Sequence, residues 1–153
     1  MMTILVLGAG LQTMPLLAQP GQDPRGDKAA VEAVLARYKT AIETLDGSKM
    51  PGLFAPDSEI VENGKLEGSF GDYLAHHLGP ELAAFRLFRF SGYAVDVRIE
   101  GPVALASERY RFRIEPKSGD AAEREGVTTS VLRRVGESWQ IVSMHSSSRK
   151  PKP

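Results

Sequence analysis

At Phe85 the hydrophobic pattern of this chain changes from helical spacing to strict alternation, and that change constrains the fold more than any motif does. Before it lie two amphipathic stretches. Val31, Val34, Leu35, Tyr38, Ile42 and Leu45 form one continuous helical stripe, with Asp27 placed to cap its start and Gly47 to end it. The second stretch, "SFGDYLAHHLGPELAAF", carries Phe70, Tyr73, Leu74, Leu78, Leu82 and Phe85 on one face, with Ser69 as its cap. His77 falls on that face and His76 to its side. Pro80 has no N–H, so Gly79-Pro80 is expected to break or kink this helix. Between the helices a short alternating segment, Glu59 to Asn63, closes on Asn63-Gly64, a hairpin-turn pair.

Beyond Phe85, "YAVDVRIE" sets Val95, Val97 and Ile99 against Asp96, Arg98 and Glu100. "LASERYRFRIE" sets Tyr110, Phe112 and Ile114 against Arg109, Arg111 and Arg113. "GVTTSVLRRV" and "SWQIVSMHS" follow, separated by turn residues. These read as half-buried antiparallel strands. Helices first and meandering strands afterwards predict an α+β fold, a curved antiparallel sheet wrapped around the N-terminal helices.

The length of 153 residues fits one domain. Nineteen basic and nineteen acidic side chains cancel, and the arginines of the 109–113 strand have no interleaved aromatics on their parity. Nucleic acid is therefore not an expected partner. The absence of cysteine removes thiol nucleophiles, thiolate metal sites and a lipid-anchored cysteine. The apolar run inside residues 1–18 is too short and interrupted for stable membrane insertion and resembles a signal peptide cleaved after Ala18. The expected organisation is a signal peptide at 1–18, a linker at 19–26, a folded domain at 27–149 and a basic tail at 150–153. The expected location is periplasmic or secreted.

The segments "RYKTAIETLDGSKMPGLFAPDSEIVENG" and "SVLRRVGESWQIVSMHSSSR", with Trp139, Ile141, His145 and Ser147 forming a Trp-x-Ile then His-x-Ser pattern, resemble the nuclear transport factor 2-like superfamily. Within it the chain looks most like SnoaL-like proteins over roughly residues 27–149. The resemblance implies a cone with a deep cavity between sheet and helices, commonly in a homodimer, with His145 pointing towards or rimming that cavity. The superfamily's ketosteroid isomerases pair a helix-one tyrosine with a carboxylate base and a later acid. Laid on that pattern, Tyr38 matches the tyrosine and Glu62 the base, while Ser130 stands where the acid would be.

The chemistry of such a pair is intelligible. A carboxylate in an apolar pocket takes a proton alpha to a carbonyl, and a phenol steadies the developing oxyanion. The candidate site therefore comprises Tyr38, Glu62, His77, Tyr110, Trp139, His145 and Ser147, with a small organic ligand and His145 as its principal polar contact. If the protein is an enzyme, the candidate catalytic residues are Glu62, His145 and Tyr38. An alternative is a metal held by His77 and His145 with Glu62 or Glu81. No cofactor is expected. Ser146 to Ser148 sit beside His145 without a nucleophile-elbow motif, which argues against a hydrolase triad.

Overall fold

The computed structural model describes residues 24–152. The expected signal peptide at 1–18 and most of the linker lie outside them. Helix α1 spans Pro24–Glu43. Two 3-10 turns, Gly47–Lys49 and Pro51–Leu53, lead into strand β1, Phe54–Glu62. Strand β2 is Lys65–Gly68. A composite helix follows, made of α2 (Phe70–Tyr73), a π-helical turn (Leu74–Leu78) and α3 (Gly79–Ala84). Four long strands complete the chain: β3 (Phe85–Glu100), β4 (Val103–Pro116), β5 (Ala122–Val135) and β6 (Ser138–Arg149).

The strands form one six-stranded sheet in the order β2-β1-β6-β5-β4-β3. All its pairings are antiparallel except β1 with β6. The α+β architecture is the expected one, with the helices gathered against one face of a curved, unclosed sheet. The stripe of α1 is buried as Val31, Val34, Leu35 and Ile42. At the hairpin, Asn63 and Gly64 both take positive φ, 49° and 84°, as the sequence pair suggests.

Three local features depart from simple periodicity. Helix α1 begins three residues before Asp27, so Asp27 lies in the first turn instead of capping it. There Asp27 pairs with Arg134 of β5, whose guanidinium lies 4.9 Å from the Trp139 ring centre, and this ties the helix start to the sheet. Gly79-Pro80 does not break the second helix. The turn widens to a π-turn in which the Gly79 N–H donates to the Leu74 carbonyl five residues back. A Cβ at Gly79 would lie 2.5 Å from that oxygen, so the turn requires glycine.

The third departure is in β6. Ile141 pairs with Leu132 and Ser143 with Val131, which leaves Val142 as an extra residue in the ladder. Trp139 and Ile141 face inward before this bulge, and Met144 faces inward after it. The alternation is shifted by one residue from there on. His145 is exposed on the outer face as a consequence, opposite to the expected placement.

Along β4 the inward residues change from small and fully buried, Ala104 and Ala106, to large and half-buried, Tyr110, Phe112 and Ile114. The helices close over the small end. The large end opens into a cavity.

Candidate functional site

The cavity has a volume of about 330 Å³ and lies between the sheet, α1 and the composite helix. Its walls are ring-rich, with Tyr38 from α1, Phe85, Phe88, Phe90 and Tyr93 from β3, and Tyr110 and Phe112 from β4. Phe90 meets Tyr110 edge-on at 5.0 Å, and Phe88 stacks on Phe112 at 5.1 Å. A volume of this size, walled by rings and edged by polar groups such as Glu62, Glu81, Glu108 and Arg124, suits a small organic molecule with polar substituents.

Both short-range parity and register place the polar groups. In β1, Ser58 and Ile60 are buried inward, so Glu62, two residues on, also faces the cavity. In β4, Glu108 lies between the inward residues Ala106 and Tyr110 and is itself buried. The ladder pairs Glu62 with Ser146, Ser146 with Thr128, and Thr128 with Glu108. One polar row, Glu62–Ser146–Thr128–Glu108, therefore crosses the cavity floor.

The Glu62 end is the more elaborate. Tyr73 donates its hydroxyl to Glu62 Oε2 at 2.7 Å. His77 stands behind the carboxylate, with Nε2 3.6 Å from Glu62 and 3.4 Å from Glu81, and Nδ1 3.3 Å from Glu67. The π-turn sets this orientation, since His77 and Tyr73 share one side of it with ring centres 5.3 Å apart. Burial holds the Tyr73 phenol far above its ordinary range, and the nearby Tyr38 and Glu62 add to that. Burial also raises the Glu81 carboxyl, against the lowering effect of His77. Glu67 differs, being lowered chiefly by its hydrogen bond from Lys65.

At the other end Tyr93 donates to Glu108, and the Tyr110 and Thr128 hydroxyls lie 2.7 Å apart. Burial pushes the Glu108 carboxyl up, although the Tyr93 hydrogen bond opposes this. Gly126 makes room here, because the Tyr110 ring occupies the space where a Cβ at that position would sit, 2.2 Å from Cε2. Tyr38 lies between the ends. Its ring packs edge-on against Phe54 at 5.2 Å, and burial together with Glu62, Tyr110 and Glu108 keeps its phenol protonated.

Of the residues singled out in the sequence, Tyr38, Glu62 and Tyr110 line the cavity, and Ser147 reaches its rim. His77 borders it through Glu62 and Glu81. Trp139 is buried in the core beneath Arg134 instead. His145 is separated from the cavity by the sheet, because the β6 bulge turns it outward and brings Ser146 and Ser148 to the cavity lining. His77 and His145 thus lie on opposite faces and do not share an ion. Among the described residues no group of three or more His, Asp or Glu is arranged to hold a metal.

Sequence reasoning missed Tyr73, Tyr93 and Glu108. The signal for Glu108 was its parity with Tyr110, and for Tyr73 its place on the same helical stripe as His77. Ser130, which the resemblance sets where the isomerases have their acid, is buried, and among the described residues its hydroxyl oxygen has no hydrogen-bond partner. The carboxyl facing the cavity comes from Glu108 on the neighbouring strand.

A SnoaL-like domain family model matches residues 31–150. No curated protein matches the sequence. Among solved structures, a nuclear transport factor 2-like superfamily protein from Salmonella enterica superposes with a TM-score of 0.74 at 17% identity, over 85% of this chain and 94% of that one. A candidate ketosteroid isomerase from Shewanella frigidimarina gives 0.65 at 22% identity, over 77% and 94%. A candidate scytalone dehydratase from Novosphingobium aromaticivorans gives 0.71 at 13% identity, over 82% and 86%. At these identities the structural likenesses concern the fold. The matched model spans the cavity-forming strands and most of α1, and the chain belongs to the SnoaL-like domain family of the nuclear transport factor 2-like superfamily.

Proposed function

We propose that this protein binds a small, ring-containing organic molecule in the cone and uses Glu62 to move a proton on it. The observation that carries the reading is the placement of the Glu62 carboxylate inside a ring-walled cavity, oriented by the Tyr73 hydroxyl. A carbonyl compound seated there would lose an α-proton to Glu62. The C–H electron pair becomes the enolate C=C bond, and charge develops on the carbonyl oxygen. The protonated phenol of Tyr38 is available to donate to that oxygen. Returning the proton at another carbon completes an isomerisation, and expelling a β-hydroxyl as water completes an elimination. Two solved structures of like fold are named as a candidate ketosteroid isomerase and a candidate scytalone dehydratase, names that belong to these two reaction classes and are consistent with the reading.

The test needs no knowledge of the natural substrate. In heavy water the protein is expected to accelerate α-deuteration of 2-tetralone, followed by proton NMR. Glu62→Gln should slow that exchange by about a hundredfold, the usual contribution of a positioned general base. Exchange at the same rate with wild type and Glu62→Gln would rule out Glu62 as the base. Simple binding without proton transfer is the remaining reading, and it predicts ligand-induced stabilisation of both proteins with no exchange.

Two further properties belong to the proposal. Export is supported by the apolar run before Ala18, and N-terminal sequencing of the mature protein should begin at Gln19. An intact Met1 on protein from the native host would contradict it. Homodimerisation is supported by the uncovered outer sheet face, where Val127 and Leu105 are exposed beside Arg109. Sedimentation equilibrium is expected to give twice the chain mass, and a monomer mass at tens of micromolar would contradict it.

A further inference from the structure

We infer that the ligand is a neutral, bipolar ring compound, held at one end by Glu62 and at the other by Glu108. This rests on the cavity being the ligand site, and it goes beyond that reading by fixing the number, spacing and type of the ligand's polar groups.

The polar row supplies the geometry. Glu62, Ser146, Thr128 and Glu108 are direct cross-strand partners on β1, β6, β5 and β4, so they point to the same face. Three inter-strand steps separate the outer two, which places their backbones about 14 Å apart. Side chains stand roughly perpendicular to the sheet. Allowing a hydrogen bond of about 2.8 Å at each end leaves about 8 Å between the ligand's polar atoms. A fused two-ring skeleton with substituents at its far corners has that span. The curvature of the sheet shortens the distance and disfavours anything longer.

Of the two intervening hydroxyls, Ser146 stands directly beside Glu62 and serves the same end of the ligand. Thr128 is engaged by Tyr110, and Phe88, Phe90, Tyr110 and Phe112 surround the middle of the row with ring faces and edges. A flat hydrophobic body fits that middle. The two ends differ in character. Glu62 already receives the Tyr73 hydroxyl and offers a second oxygen to a ligand O–H or an acidic C–H. Glu108 receives Tyr93 on Oε1, and its burial favours the acid form, which offers its own proton to a ligand oxygen. A ligand oxygen that accepts a hydrogen bond belongs at the Glu108 end.

The charge around the cavity argues against an anionic ligand. Glu62, Glu81 and Glu108 line it, and Lys39, one of its two lining cations, is held by Glu43 at 2.6 Å over the Phe90 and Tyr93 rings. A carboxylate or phosphate on the ligand would meet the Glu62 carboxylate at one end of the row, a buried carboxyl at the other, and Lys39 already paired, while Arg124, the second cation, stands opposite Phe112, four residues and about 13 Å along β5 from the row.

Two fluorescent probes test this: 2,6-dihydroxynaphthalene, with an oxygen at each far corner, and 2-naphthol, with one. The diol is expected to bind the wild-type protein about tenfold more tightly than 2-naphthol, the worth of one additional buried hydrogen bond. In Glu108→Leu, checked for native circular dichroism, the ratio of the two dissociation constants should fall to near one. Equal affinities in the wild type, or a ratio that survives Glu108→Leu, would overturn the bipolar assignment while leaving the cavity as the binding site. Failure of both probes to bind, or binding that is insensitive to filling the cavity with Phe112→Trp, would remove the cavity reading itself and this inference with it.

Discussion

Glu108 shows how much a single side chain depends on its surroundings. It is an ordinary acid in sequence, between Ser107 and Arg109, and the ladder places it under the ring wall, where Tyr93 is its one hydrogen-bond donor among the described residues. Burial raises its pKa in the fold. A carboxyl of this kind binds its proton more tightly in the folded than in the unfolded chain. Its contribution is therefore most favourable below the unfolded pKa and is lost as pH rises towards the folded value. Glu108→Gln keeps an acceptor for Tyr93 and cannot titrate. The variant should melt at a higher temperature than wild type at about pH 7, with the difference shrinking as pH falls to about 4. A difference that is constant with pH, or of opposite sign, would show that Glu108 is not held in this way. Glu81 is also raised by burial, but it is common to both proteins and drops out of the comparison.

Among the elements, β6 decides which residues reach the ligand. Its sequence alternates as if Trp139, Ile141, His145 and Ser147 shared a face, and one extra residue at Val142 reverses the last two. The chain contains no cysteine, so single-cysteine variants report the phase directly. His145→Cys should react rapidly with a water-soluble maleimide and Met144→Cys slowly. The reverse order would mean that the strand runs without a bulge. This is also where sequence legibility ended. The stripe of α1, the Ser69 cap, the Asn63-Gly64 turn and the inward phase of Tyr110, Phe112 and Ile114 are local properties, and the residues state them plainly. The bulge depends on which residues of β5 and β6 pair. The π-turn depends on how the helix accommodates Pro80 while keeping His77 beside Glu62. Neither leaves a mark in hydrophobic alternation. Tyr38 and Glu62 were reached through the resemblance to the ketosteroid isomerases, whereas Glu108 was hidden among the charges of "SERYRFR".

For the whole molecule, the two ends of the cone have different work. At the closed end Leu35, Ile60, Leu132 and Ile141 are fully buried, and the Asp27–Arg134 pair over Trp139 fastens α1 to the sheet. At the open end large rings are left half-buried, so apolar surface remains for a guest to cover, at roughly 25 cal/mol per Å² of area removed from water. The polar row crosses that open end, and the outer face carries His145, Arg109 and Val127 away from it. The central claim is that the guest occupies the inner face. Backbone amide NMR during titration with 2-naphthol tests it most directly. Saturable shifts are expected at Tyr73, Phe90, Glu108, Thr128 and Ser146, with Arg109, Val127 and His145 little changed. Shifts concentrated on Arg109, Val127 and His145, with the inner row unmoved, would contradict it.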